Sequence, residues 1–561
     1  MSKKTLHKRT LIIFTSLLAS VFIGWQLFKE LKVKAFVVNS IQSELNHYFE
    51  DSISFEVQNI RFQVLKKKFT LEKVKVFLRT NENDTIAKLE IPSIYFTWNK
   101  YWETFNQGYF KFESLDIEKA RLLLPIDFEK LKNSKASRPS FDGRFELELS
   151  NFNIKDGEIL FYDRKGKKHG SVSSHYDLKA SHLYFQKSKT LTSFKDIAEK
   201  IEIEFKKLTY HLKDKIHRLD VENISLDVIH QNITLRSVRY RPIYTPKKFA
   251  KIMIEQSNHI DIYLDSVRLT NVNWAGDSLI AIENMYSKDI KLKVTKDKNY
   301  PLPESRYIPV LVNLLKNSST IIDVRKCNIE NFDLHYHEIP NGKNELAKVY
   351  ISNINLAINN ITNHADSLLK HGHFLHINAN GQLYNEGKLK STIKYDLNSN
   401  YGYFEVSGKL EPMNLKAINQ YLTVSYPVAI TTGRLDDLYF NYSGGNKAVS
   451  GEMELRYSDL NIRFYKILNE EEKGDKALSW LANVALAQDN PRKNGKFRIG
   501  KIKFNRDTRK SMFSYWSNSL ISGFQSTIGL EKPARIEKLE QHNQRDSLWE
   551  KIGFGKEVES E

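Results

Sequence analysis

The sequence predicts a mainly β protein: a long, curved, bulged antiparallel sheet folded into an apolar groove, with an N-terminal transmembrane helix and a few short helices. Three observations lead there. Beyond residue 50, apolar residues alternate with a period of two along most of the chain. The alternation is broken repeatedly by one three-residue step. And Leu11 to Phe28, LIIFTSLLASVFIGWQLF, contains no charged residue.

Leu11–Phe28 has the length of a membrane span, because eighteen helical residues rising about 1.5 Å each cover about 27 Å. Lys3, Lys4, Lys8 and Arg9 precede it with no acid among them, which favours a cytoplasmic N-terminus for residues 1–10. Lys29, Lys32 and Lys34 on the far side weaken that asymmetry. A cleaved signal peptide is the rival. It calls for a shorter apolar core and a small-x-small site, whereas this run ends in Gly24-Trp25-Gln26-Leu27-Phe28. The expected topology is therefore a single pass through an inner membrane, with the bulk of the chain periplasmic.

Within the connecting segment 29–50, Val37, Ile41 and Leu45 recur at helical spacing and predict a short amphipathic helix over Phe36–Phe49. The β region begins at residue 51. Its unit is two alternating apolar residues, two mostly polar ones, and two more alternating apolar residues. Phe55, Val57, Ile60 and Phe62 form the first example, and Phe69, Leu71, Val74 and Val76 the second. Later come Val267, Leu269, Val272 and Trp274, then Cys327, Ile329, Phe332 and Leu334, then Leu455, Tyr457, Leu460 and Ile462. A strand changes face at every residue, so a three-residue step would turn the second apolar pair outward. One extra residue, as a bulge, restores the face and bends the strand. The polar pair often ends in Asn or Asp (Asn59, Asn151, Asn223, Asn271, Asn331, Asn353, Asp459), residues that tolerate irregular backbone. Ordinary sandwich strands with turns at those pairs are the alternative. Covered by a second sheet, the apolar face makes a core; folded lengthwise, it encloses a groove.

Lys130–Gly143 is polar and predicts a loop, and Asn469–Asn494 departs from the β pattern. Short helices are expected at Ile308–Leu315, Ala417–Leu422 and Leu478–Ala487. Ser511–Leu530 is again uncharged. Met512, Trp516, Leu520, Phe524 and Ile528 recur every four residues and fall on one half of a helix. That helix over 508–530 either packs on the sheet or inserts into a lipid interface or groove mouth. A charged tail, 531–561, follows.

The chain of 561 residues has a formal net charge of +18. Its lysines are scattered, which fits anionic headgroups beside an anchor better than nucleic acid. Aromatic residues fall mostly on the apolar face, so a base-stacking platform is unsupported. Cys327 is the single cysteine, which excludes an internal disulfide and a multi-cysteine metal site. Gly276-Asp277-Ser278-Leu279 spells the nucleophile block of the GDSL hydrolases, but the Asp-x-x-His that family requires late in the chain is missing, and Gly-Asp is ordinary turn chemistry. His335 and His337 alternate with Leu334 and Tyr336, so they should face solvent. His371, His373 and His376 are close in sequence but lack a helical metal motif. No catalytic residue, metal or cofactor is expected.

In the last third, Lys409-Leu410-Glu411-Pro412-Met413-Asn414-Leu415 leads into Ile418–Tyr421. Thr432-Gly433-Arg434-Leu435-Asp436-Asp437-Leu438 follows, then Val449-Ser450-Gly451-Glu452-Met453-Glu454-Leu455 and Tyr457-Ser458-Asp459-Leu460. With the anchor and the long bulged β region, this order resembles the AsmA-like family of bacterial envelope proteins. The resemblance implies a β-groove region over 51–371 and a family-like C-terminal β region over 372–507. It also implies a folded-over groove related to bridge-like lipid-transfer proteins, a periplasmic location, a role in lipid traffic and outer-membrane upkeep, and no catalytic residues. The groove candidates are Phe55, Val57, Ile60, Phe62, Val267, Leu269, Val272 and Trp274. The membrane-interface candidates are Met512, Trp516, Leu520, Phe524 and Ile528. Expected partners are the inner membrane, phospholipid or another acyl lipid, and outer-membrane or assembly-machinery proteins. The alternative function is an envelope scaffold that carries no lipid and modulates outer-membrane protein assembly.

An uncleaved anchor keeps the full chain in the membrane pellet through alkaline carbonate extraction, with residue 1 or 2 as its N-terminus by mass spectrometry. Release into the soluble fraction with a new N-terminus beyond residue 20 is the outcome expected of a signal peptide.

Overall fold

The structure, a computed structural model, describes residues 53–63, 66–79, 85–99, 109–125, 146–162, 168–185, 197–212, 214–275, 278–464 and 487–529. Leu11–Phe28, the Phe36–Phe49 segment, the Lys130–Gly143 loop, all of Leu478–Ala487 but its last residue, and the tail 531–561 lie outside those residues. Among the described residues no helix is long and apolar enough to cross a membrane.

Among the described residues twenty-two strands form one mixed sheet, and the chain divides into two compact units. The first comprises residues up to Leu212 together with Asp220–Ile233. Its strands are β1 (Ile53–Gln63), β2 (Lys68–Arg79), β3 (Thr85–Thr97), β4 (Tyr109–Glu118), β5 (Arg121–Pro125), β6 (Glu146–Tyr162), β7 (Lys168–Phe185), β8 (Lys200–Phe205) and β9 (Leu208–His211). Most of β10 (His217–Asp227) belongs to it as well. β1, β2 and β3 form an antiparallel meander. β4 and β5 are one strand line broken at Lys119, whose φ is 54°; both pair antiparallel with β3 and parallel with β6.

The second unit comprises Lys213–Leu219 and everything from Thr234. Its strands are β11 (Asn232–Pro242), β12 (Asn258–Ala275), β13 (Leu279–Asp297), β14 (Ile321–Ile339), β15 (Ala347–Thr362), β16 (Phe374–Leu383), β17 (Gly387–Asp396), β18 (Phe404–Leu410), β19 (Met413–Asn414), β20 (Val428–Gly444), β21 (Ala448–Phe464) and β22 (Gly500–Asn505). Its helices are α1 (Pro246–Met253), α2 (Leu311–Lys316), α3 (Ala365–His371), α4 (Asn419–Ser425) and α5 (Met512–Ile528). α2 and α4 fall where helices were expected. α1, with Pro246 in its first turn, and α3 were not anticipated.

The purely antiparallel expectation is corrected. β4–β6, β5–β6 and β13–β14 run parallel. Each follows a long connection, 126–145 before β6 and 298–320, with α2, before β14. A parallel pair needs a crossover of a dozen or more residues, and these connections supply it.

Every apolar quartet quoted above lies within a single strand. At the three-residue step the backbone turns left-handed: Lys73, Ser237, Asn271, Asn331, Asn353 and Asp459 have φ between 50° and 54°. Asn59, Asn151 and Asn223, expected to share that role, do not have positive φ. The irregularity also differs from a simple insertion in one strand. On β12–β13, Thr270 faces Asn284 and Val272 faces Ile282, so Asn271 and Glu283 are skipped together and register is kept. Asp289 and Asn331 are skipped together on β13–β14, both with positive φ, and the Asn331 amide donates to the Asp289 carboxylate. True register shifts occur on β14–β15, β15–β16 and β20–β21. Side-chain oxygens of neighbouring segments accept the backbone N–H groups released at these steps: Asn331 to Asn355 Oδ1 (3.2 Å) and Asn353 to Asp333 Oδ1 (3.0 Å) between strands, and Asp459 to Asp489 Oδ1 (2.9 Å) in the segment before β22.

α5 packs on β22 and β21, and the predicted stripe of Met512, Trp516, Leu520, Phe524 and Ile528 meets the core, but most of its buried residues lie one position beside that stripe. Its fully buried residues are Tyr515, Ser519, Gly523, Ser526, Thr527 and Ile528. Gly523 and Gly500 let the backbones approach so closely that a Cβ on Gly500 would lie 2.4 Å from the Gly523 carbonyl oxygen. The Ser519 and Thr527 hydroxyls donate to carbonyls one helical turn back, so their burial leaves no polar group unmet. Ser526 and Ser522 hydroxyls accept the backbone N–H groups of Lys501 (2.8 Å) and Lys503 (3.2 Å) on β22.

Gly500→Ala should destabilise the protein by about 1–3 kcal/mol, because the new methyl meets the Gly523 backbone carbonyl as well as the buried Thr527 hydroxyl. Urea unfolding followed by tryptophan fluorescence measures it, and an unchanged midpoint contradicts the close approach.

Candidate functional site

The apolar side of the first unit's sheet is built from the alternating residues of β1 to β7. Phe69, Leu71, Val74, Ile91, Ile94, Trp98, Phe112, Ile117 and Leu149 are buried. Phe69 stacks on Phe96 with ring centroids 4.2 Å apart, and Phe96 meets Phe112 at 5.4 Å. Phe55, Val57 and Ile60 pack against this cluster and remain partly exposed. Phe62 pairs in backbone register with Phe69, but its side chain lies outside the described part. No α-helix covers this face among the described residues of the unit.

In the second unit the apolar face of β12 pairs residue for residue with that of β13. Val267 lies opposite Ser287, Leu269 opposite Met285, Val272 opposite Ile282 and Trp274 opposite Ile280. Val267 is buried, Leu269 and Val272 are half-buried, and Trp274 is 71% exposed. Cys327 is buried beside Met285, in the cluster that Leu269 and Val272 pack against, and burial pushes its thiol pKa up. Farther along the chain the face is filled from within: Val312, Leu375, Tyr395, Phe404, Tyr442, Met453 and Tyr457 form a core with Tyr515 and Ile528 of α5.

Toward one end of β13 and β14 this face turns polar. On β13, Ile290, Leu292 and Val294 are followed at the same spacing by Lys296; on β14, Phe332, Leu334 and Tyr336 are followed by Glu338. Glu338 is buried and fully engaged, accepting from Tyr336 Oη (2.6 Å) and Tyr421 Oη (3.2 Å), with Lys298 Nζ at 2.8 Å. Burial and the Glu338 charge push the Tyr336 and Tyr421 phenols up, and raise Tyr426 to about 12. Lys296 is half-buried. Burial first, then Lys298, Arg306 and Lys510, push it down to about 8 against the opposing pull of Glu338. The signal available in the sequence was the charge that ends each apolar alternation, which periodicity alone treats as the end of a strand.

The histidines behave less uniformly than expected. His335 is exposed and stacks on Tyr350 (5.9 Å), whereas His337 is half-buried with an unpartnered Nδ1. The solvent-facing expectation is thus corrected for His337. Burial, with Lys293, His335 and Lys348 nearby, pushes its pKa down to about 4. Among the described residues no group of three or more His, Cys, Asp or Glu side chains could hold a metal ion. Ser278 sits exposed in the β12–β13 turn, and its carbonyl accepts from Ile321 N–H (2.9 Å). Gly276 and Asp277 lie outside the described residues.

Two clefts of about 630 and 620 Å³ lie among mainly polar residues, one around Lys390, Lys409 and Tyr439, the other around Arg325, Lys370 and His376. None of the groove candidates lines them. Of the membrane-interface candidates, Ile528 is buried, while Met512, Trp516, Leu520 and Phe524 pack part-buried against the second unit's core. No protein-family model matches this chain, and no curated protein matches it.

The His337 environment favours the neutral imidazole, so its contribution is complete above the ordinary pKa of about 6.5. Below that the unfolded chain takes up the proton first, and stability falls as pH drops toward about 4. In urea titrations at pH 7 and 4.5, His337→Phe should lose less stability between the two than the parent. Equal losses would exclude the effect.

Proposed function

We propose that this chain is a non-enzymatic, inner-membrane-anchored periplasmic protein that binds or conducts lipid acyl chains along the apolar face of its sheet, supporting outer-membrane lipid homeostasis. The observation that carries the proposal is the set of half-buried apolar side chains on the sheet, which in the first unit have no described helix above them. In the first unit these are Phe55, Val57 and Ile60 beside the Phe69–Phe96–Phe112 aromatics; in the second they are Leu269 and Val272, with Trp274 beyond them. Completing the burial of such surface stabilises a bound chain by about 0.8 kcal/mol per methylene, comparable to the bilayer it leaves. Transfer is then passive, without a deep well. The uncharged Leu11–Phe28 segment and the AsmA-like ordering of residues 408–464 point the same way.

A second reading, a scaffold for outer-membrane protein assembly that carries no lipid, draws on the filled core around Phe404, Tyr442 and Tyr457. There the face is occupied by the protein's own side chains. The first reading uses the more open parts of the face and leaves that closed region a structural role.

Purification in mild detergent followed by lipid mass spectrometry tests the choice. The parent should retain acyl lipid, and a photocrosslinker at Val272 should attach to it. Leu269→Asp with Val272→Asp should reduce retained lipid roughly tenfold or more, since a buried unpaired charge costs several kcal/mol. A parent without lipid or crosslinks overturns the lipid reading and favours the scaffold.

A further inference from the structure

We propose that the polar end of the β13–β14 apolar face, with Lys296 at its centre and Lys298, Arg306 and Lys510 around it, is a binding site for a phosphate group. The inference deepens the acyl-chain reading and rests on it for the lipid source: the phosphate would be the headgroup of a lipid whose chains lie along the half-buried Leu292 and Val294, beyond which Ile290 is buried.

Lys296 shares the face of those three residues and stands in register beside Asn258 on one strand and Glu338 on the other. It makes no ion pair or hydrogen bond with that carboxylate, because Glu338 is taken by Tyr336, Tyr421 and Lys298. The other cations are held without neutralising it. Arg306 donates through Nη1 to the Gln256 carbonyl at 2.7 Å, and Lys510 and Arg509 share Asp507. Among the described residues, cations therefore outnumber carboxylates around a half-buried ammonium with no acid of its own. Such a group is costly when unpaired, and an anion relieves both its desolvation and the repulsion from Lys298. Phosphate suits the position because several donors can share its oxygens. The apolar run leading up to Lys296 suits a molecule with a charged head and an apolar tail.

The test is amine acetylation of the detergent-purified full chain at pH 8, read at Lys296 by peptide mass spectrometry, with exposed Lys291 of the same strand as internal control. The additions are inorganic phosphate, phosphatidylcholine vesicles, and vesicles containing phosphatidylglycerol. Bound phosphate should return Lys296 toward an ordinary value of about 10.4 and cut its labelling by roughly tenfold to a hundredfold, with Lys291 unchanged. Protection by phosphatidylglycerol vesicles, greater than by phosphatidylcholine, assigns a lipid headgroup. Protection by millimolar inorganic phosphate with none from vesicles upholds the phosphate site while removing its lipid source. No protection from any addition, or equal protection of Lys291, overturns the proposal. If that happens while acyl lipid still co-purifies, the groove reading survives without this site. Lys296→Met should abolish the preference for phosphatidylglycerol in vesicle flotation and Lys296→Arg should keep it; an unchanged preference in Lys296→Met also overturns the proposal.

Discussion

A strand that takes a three-residue step must be turned back, or its apolar side chains face water. At many of these steps a left-handed residue does this, although β1 takes its step between Val57 and Ile60 without one. The cost of placing Asn271, Asn331, Asn353 or Asp459 at positive φ is modest for these side chains. A step in one strand alone would break the ladder, but Asn271 is matched by a skip at Glu283 and Asp289 by one at Asn331, so adjacent strands step together. Where register does shift, on β14–β15, the freed N–H groups of Asn331 and Asn353 find Asn355 and Asp333. Left-handed backbone and side-chain acceptors thus recur as a matched set.

This explains how much of the fold was legible in the sequence. Apolar quartets such as Val267, Leu269, Val272 and Trp274 mark strand, face and step in one local pattern, and local patterns survive into structure. Strand direction was not legible. The parallel pairing of β13 with β14 is decided by the long connection between them, and nothing in either strand's alternation encodes it. Lys73 and Ser237 were likewise missed as left-handed positions because neither residue type advertises that conformation.

The candidate site was legible in part. Val267, Leu269 and Val272 do share one face with Ile282 and Met285. Trp274, grouped with them by spacing, lies at the exposed end of its hairpin. The polar cluster around Glu338 depends on Tyr421, which is distant in sequence from β14, so no local motif announces it. In α5, periodicity identified the helix and an apolar stripe that meets the core, but not the small residues buried beside it. Backbone proximity at Gly500 and Gly523 brings the adjacent side, with Ser519, Gly523, Ser526 and Thr527, closest to the sheet.

The serines on that side have a further consequence. A β-sheet is in principle extensible: its last strand offers unpaired donors to any chain that can lie beside it. At β22 the Lys501 and Lys503 donors are already taken by Ser526 and Ser522. A hydroxyl can accept such a bond without presenting a new row of backbone groups beyond it. α5 therefore acts as a chain terminator for strand addition, ending the sheet against templated growth by another molecule with only a few side-chain hydrogen bonds.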